Sequence, residues 1–160
     1  MARLALAIGL VAVGCRIEAP APAGDPAPEF RLTLLEGGEV ILADLRGKTV
    51  LLDFWATWCP PCVLEIPELN AFQAQHRAHG VEVLAIAVDV EAREELAAWS
   101  AERGIEYPVA IGDMKTARLY GAELFPLHIL VSPEGRIVER LTPGYHDRDE
   151  LAALVARHAQ

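Results

Sequence analysis

The chain has little positive charge: 14 lysines and arginines stand against 23 aspartates and glutamates in 160 residues, a formal net charge of -9. It lacks the basic clusters that a phosphate backbone requires, which argues against nucleic acid as a partner. The acidic residues are spread along the chain without forming blocks, and so read as a solvated surface. No internal repeat is apparent. Cysteine is scarce, with three in all, and there is no second Cys-x-x-Cys pair. None of His76, His79, His128, His146 and His158 completes a close-spaced ligand set, so a zinc site is disfavoured and no cofactor or metal is expected.

Hydrophobic residues make up 52% of the chain, enough for one globular core with an appendage. The appendage is N-terminal. Met1-Ala2-Arg3 supplies a minimal positive region, and Leu4 to Val13 is an apolar run of ten residues. That is too short to span a bilayer, which needs about 20, but it has the length of a signal-peptide core. Ala12-Val13-Gly14-Cys15 resembles a bacterial lipobox, in which Cys15 is acylated and becomes the new N-terminus. The alternative, a plain secretory signal cut near Ala19 to Ala23, is disfavoured by Pro20 and Pro22. Either way the domain is delivered outside the cytoplasm. The expected organisation is a signal peptide over 1–14, a lipidated cysteine with a Pro/Ala-rich tether over 15–28, and one folded domain over 29–160.

Within that domain, Phe30 to Leu42 alternates around Glu36-Gly37-Gly38-Glu39 and suits a β-hairpin. Thr49 to Trp55 is apolar except for Asp53, the pattern of a strand covered on both faces. A helix is expected over Pro60 to His79, with Ile66, Leu69 and Phe72 on one side and Gly80 as its stop. A buried strand follows over Val81 to Val90, then a helix from about Ala92 to Arg103. Next come a short strand near Val109 to Ile111, a short helix through Tyr120 and a strand over Leu127 to Val131. Arg136 to Leu141 returns after the Ser132-Pro133-Glu134-Gly135 turn. The last helix opens on a capping-box-like pair, Asp147 and Glu150, and buries Leu151, Leu154 and Val155. Such alternation predicts an α/β layered domain with a mixed sheet.

The chemistry concentrates in Asp53-Phe54-Trp55-Ala56-Thr57-Trp58-Cys59-Pro60-Pro61-Cys62, at a strand-to-helix junction. With Cys59 as N-cap, Pro60 and Pro61 occupy positions whose N–H groups have no intrahelical acceptor. The positive end of the helix dipole then favours a Cys59 thiolate, the candidate nucleophile. Cys62, one turn inward, is the candidate resolving thiol and should be shielded from substrates. Its ionisation needs a proton acceptor, and a buried carboxylate with a raised pKa qualifies. Asp53 and Glu65 are the candidates, with a salt-bridged strand residue as the structural alternative for Asp53. Trp58 reads either as packing or as part of a substrate surface.

The run Phe54 to Cys62, with Glu65-Ile66-Pro67 after it, resembles the thioredoxin superfamily, and within it the TlpA/ResA-like branch of extracytoplasmic thiol-disulfide oxidoreductases. Pro28-Glu29-Phe30 and the following hairpin resemble the extra N-terminal strands of that branch. The resemblance implies a thioredoxin-like fold, a central mixed sheet flanked by helices with an added N-terminal hairpin. It also assigns Pro126 the role of the cis-proline facing the cysteines. Leu124-Phe125-Pro126-Leu127-His128 departs from the family in the bulky residue before that proline and the histidine two after it.

The implied partners are disulfide-bearing extracytoplasmic proteins, with a membrane or soluble thiol donor restoring the dithiol and a lipid anchor holding the chain to a membrane. Apocytochrome c cysteines and copper-site assembly thiols are two implied substrates. A copper-binding chaperone using the same cysteines is the competing reading, because thiolates suit copper(I). A peroxidase would need its reactive cysteine in a different motif.

Overall fold

The computed structural model describes residues 24–158 apart from Glu91. The elements, in chain order, are β1 (Arg31–Leu34), β2 (Glu39–Ile41), β3 (Thr49–Trp55), α1 (Pro60–His76), β4 (Val81–Ala87), α2 (Arg93–Glu102), β5 (Val109–Ile111), α3 (Met114–Leu119), β6 (Leu127–Val131), β7 (Ile137–Arg140) and α4 (Arg148–His158). The strands form one seven-stranded mixed sheet in the order β2-β1-β5-β4-β3-β6-β7. β3, β4 and β5 run parallel, as helical crossovers require, and β6 and β7 return antiparallel on one side. The N-terminal hairpin is present and extends the sheet at the other side, where β1 pairs antiparallel with β5.

The continuous apolar runs of β3 and β4 lie at the centre of the sheet, where both faces are covered. Leu51, Leu52, Phe54, Val83, Ala85 and Ile86 are wholly buried. The helices contribute the stripes their spacing predicts: Ile66, Leu69 and Phe72 from α1, Leu96 from α2, Leu151 and Leu154 from α4. Val155 is only partly buried. α1 packs on both α4 and β4, and Trp99 of α2 stacks against Trp55 with ring centroids 5.1 Å apart.

Several boundaries differ from the sequence expectation, each for a local reason. The helix expected through His79 ends at His76, and the remainder tightens into a 3-10 turn closed by Gly80 at φ 77°. The strand expected through Val90 stops at Ala87, because Asp89 turns to accept from Thr57 in the loop between β3 and α1. Residues 24–27, which fall in the stretch expected as a tether over 15–28, pack on the domain. Gly24 donates to the Ile137 carbonyl, Ile137 to Asp25 (3.0 Å) and Ala27 to Gly135 (2.9 Å), so this stretch runs beside the otherwise exposed edge of β7. Ala27 is buried there. Residues 1–23, with the expected signal and Cys15, lie outside the described residues.

Gly112 follows β5 with its N–H on the Ala87 carbonyl (2.8 Å), and a Cβ at this position would overlap the Cγ2 methyl of the wholly buried Ile86. A β-branched side chain in a packed core has little room to yield. Gly112→Ala is therefore expected to destabilise the protein by about 1–3 kcal/mol. Urea denaturation checks this, and an unchanged midpoint would show that Ile86 can move aside.

Candidate active site

β3 ends at Trp55, and Ala56 to Cys59 turns the chain into α1, with the Cys59 N–H on the Ala56 carbonyl (3.1 Å). Cys59 is the N-cap in extended conformation (φ -92°, ψ 103°), and Pro60 and Pro61 take the first two helical positions. The Cys62 N–H points at Cys59 Sγ at 3.3 Å, so the cap is the sulfur itself. A thiolate there would receive this N–H as well as the field of the helix terminus. Cys59 and Cys62 form a disulfide with an S–S distance of 2.06 Å.

Shielding does not separate the two cysteines in this oxidised form: Cys59 is 2% exposed and Cys62 5%. What distinguishes them is position along the helix. Trp58, next to Cys59, is 68% exposed, and its ring meets Phe125 edge-on at 6.1 Å. Leu64, Leu124 and Tyr145 are also exposed.

The Phe125-Pro126 peptide bond is cis. β6 pairs with β3 so that Phe54 faces Leu127, which puts Pro126 level with the end of β3 from which the cysteine loop departs. The loop is clamped from the other side by a residue that sequence reasoning missed. Asp89, just past β4, accepts from the Thr57 N–H at 3.0 and 3.1 Å and from the Thr57 hydroxyl. The available signal was its place at the carboxyl end of a parallel strand, where α/β sheets build sites.

Behind the disulfide, the structure brings together the two carboxyls that the sequence singled out. Asp53 and Glu65 are both buried. Burial pushes Asp53 up to about 7. Glu65 is pushed up to about 9, first by burial and then by the charge of Asp53, against the lowering effect of the His146 N–H that it accepts. The two groups share one poorly solvated site and titrate as a pair.

The salt-bridged alternative for Asp53 takes an unexpected form, since the nearby group is His128. This residue lies opposite Asp53 in the β3–β6 register and is held down to about 3, by burial and then by His146, so it is neutral. His146 and Tyr107 complete the surroundings. The His146 ring lies 5.6 Å from that of His128, and burial followed by the charges of Asp53 and Glu65 raises the Tyr107 phenol. Nothing local in the sequence marks either residue, because both arrive from distant loops.

The arrangement is a disulfide-bonded cysteine pair at a helix N-terminus with two buried carboxyls on the adjoining strand and helix, and comparison with known proteins shows what this chain is similar to. Residues 23–140 match the model of the AhpC/TSA family. The chain is 37% identical over 135 residues to the thiol-disulfide oxidoreductase ResA of Bacillus thuringiensis (strain Al Hakam), covering 84% of this chain and 77% of that protein. Among solved structures, a protein assigned as the thiol:disulfide interchange protein DsbE of Chlorobium tepidum superposes with a TM-score of 0.75 at 32% identity, over 86% of this chain and 96% of that one. A thiol:disulfide interchange protein of the thioredoxin family from Chlorobium tepidum TLS gives 0.72 at 26%, over 87% and 98%.

The raised carboxyls set a stability prediction whose sign follows from linkage. The folded chain keeps protons that the unfolded chain has released, so their contribution is fully present below about pH 4. It is lost as pH rises through about 7 for Asp53 and towards about 9 for Glu65. His128 has the opposite sign: its depressed value weakens the fold as pH falls below about 6.5. Asp53→Asn in the disulfide form is therefore expected to gain on the order of 2 kcal/mol at pH 8 and little at pH 4. Denaturation at both pH values decides it, and an equal gain at each would mean that ionisation is not the cause.

Proposed function

Because this chain is a thiol-disulfide oxidoreductase of thioredoxin-like fold belonging to the AhpC/TSA family, we propose that it reduces disulfides of extracytoplasmic proteins through Cys59 and Cys62. The observation that carries this reading is Cys59 at the N-cap of α1, bonded to Cys62, with buried carboxyls behind the pair. In the reduced enzyme, the Cys59 thiolate attacks one sulfur of a substrate disulfide. The substrate's other sulfur leaves as a thiolate and takes a proton.

Cys62 then gives its proton to the ionised member of the Asp53 and Glu65 pair, and its sulfur attacks Cys59 Sγ. The bond to the substrate breaks, and the second substrate sulfur leaves with the electron pair. The substrate gains two electrons and two protons, and the enzyme is left as the disulfide. A thiol donor at the membrane or in solution regenerates it. Trp58, Phe125 and Pro126 supply the apolar edge against which the substrate chain lies, supported by the exposure of Trp58 and its contact with Phe125.

The direction of electron flow rests on the two residues between the cysteines. Pro60 and Pro61 lack backbone donors and carry no positive charge, so the Cys59 thiolate is stabilised less than in a strong oxidase. A reductant follows. The N-terminal run and the Ala12 to Cys15 lipobox support attachment to a bacterial membrane through lipid on Cys15, facing the periplasm in a Gram-negative envelope. Within that compartment, the cysteines of apocytochrome c or of a copper-site assembly protein are the proposed substrates.

Two experiments test this. Cys62→Ser in the native envelope should accumulate mixed disulfides on Cys59, identifiable by mass spectrometry and abolished by Cys59→Ser. A chaperone would instead lose copper(I) binding and trap nothing. Equilibration with glutathione should give a potential well below that of a strong oxidase, and a value near ~-120 mV would reverse the assigned direction.

A further inference from the structure

One buried side chain beneath the disulfide has no part in the exchange steps above. His128 projects from β6 with its Nε2 3.6 Å from Asp53 Oδ1 and 3.5 Å from Glu65 Oε2. All three residues are buried. Among the described residues, Asp53 Oδ1, Glu65 Oε2 and both ring nitrogens of His128 have no hydrogen-bond partner. Buried polar groups left this way each cost about 1–3 kcal/mol, and a core does not gather three of them without a gain elsewhere. A contraction of a few tenths of an ångström would bring either contact well within hydrogen-bond distance.

The groups around the imidazole come from four elements. β3 supplies Asp53, and α1 supplies Glu65, one turn after Cys62. The loop ahead of α4 supplies His146, whose ring stands edge-on to that of His128. The loop ahead of β5 supplies Tyr107, whose phenol feels both carboxyls. Glu68 and Glu150 act on Glu65 from further out. Ionising one of two buried carboxyls this close raises the other, so the first proton released on the way up through neutral pH leaves one anion. The Nε2 position is nearly equidistant from an oxygen of each.

We propose that His128 is a positioning residue for disulfide exchange: its Nε2–H bridges Asp53 and Glu65, bonds whichever is ionised, and keeps that carboxylate available as the base for Cys62. The imidazole stays neutral and carries no electrons. The proton moves from the Cys62 sulfur to the carboxylate, and the sulfur's electron pair makes the bond to Cys59. This rests on the reading that Cys62 resolves the mixed disulfide.

Single-turnover reaction of the reduced protein with dithiobis(nitrobenzoate) separates the two, because the first thiolate released reports Cys59 and the second reports Cys62. In His128→Leu the pH midpoint of the second release should rise by about one unit, slowing it about tenfold at pH 7. His128→Gln, which places an amide N–H in the same space, should recover most of the loss. If the wild type releases a second thiolate and all three profiles superpose, the role of His128 is overturned while that of Cys62 stands. If the wild type gives no second release, the resolving role itself fails, and the proposal with it. Should His128→Leu not fold, the ring nitrogen shifts of the wild type decide. A proton on Nε2 with Nδ1 bare at pH 7 is the expected state, and an Nδ1–H ring or an imidazolium overturns the proposal.

Discussion

At the start of α1 the first backbone N–H groups have no acceptor within the helix, and the chain meets that constraint with sulfur and proline. Pro60 and Pro61 remove two of the donors outright, and Cys59 Sγ accepts from the third, the Cys62 N–H. The group that satisfies the helix end is thus the one proposed as the nucleophile. A negative sulfur is favoured there by the same unpaired dipoles that would otherwise destabilise the helix. The disulfide with Cys62 keeps that sulfur at the cap in the oxidised state.

The sheet supplies what the helix end cannot. β3 is central, and its carboxyl end, the end of β4 beside it and the start of β6 converge on the cysteine loop. Each contributes one function: Asp89 after β4 ties down Thr57, Pro126 before β6 borders the loop, and Asp53 within β3 lies beneath it. A loop carrying an exposed Trp58 needs such anchoring, because residues that turn a strand into a helix have few backbone partners of their own. Phe125 against Trp58 ties the two rims together through aromatic contact rather than through hydrogen bonds.

Beneath the loop, function is set against stability. Asp53 and Glu65 are buried where neither ionises easily, and His128 is buried where it cannot take a proton readily. An apolar residue at any of these positions would fill a core of this kind with less strain on its solvation. What the polar set provides is a pair of buried carboxyls whose ionisation is moved up toward and beyond neutral pH, the property that the proposed resolving step draws on.

Much of this was legible in the chain itself. Strand positions β3, β5 and β6, the Asp147 and Glu150 capping box, and the Cys59 cap with its two prolines depend on periodicity and on contacts a few residues apart, which a linear sequence records directly. The resemblance of the Phe54 to Cys62 run reached the fold and the type of activity for the same reason. Asp53 and Glu65 were legible as anomalies, a charge in an apolar strand and a carboxyl one turn past a cysteine.

Only tertiary structure decided what surrounds them. His128 sits 75 positions after Asp53 in number but opposite it in register. His146 and Tyr107 come from separate loops, and Asp89 after β4 finds Thr57 after the neighbouring β3. Burial, and with it every shifted ionisation in the site, depends on which segments meet around a residue. That is settled by how the sheet orders its strands and how its connections close over the ends, information distributed over the whole chain and present at no single position in it.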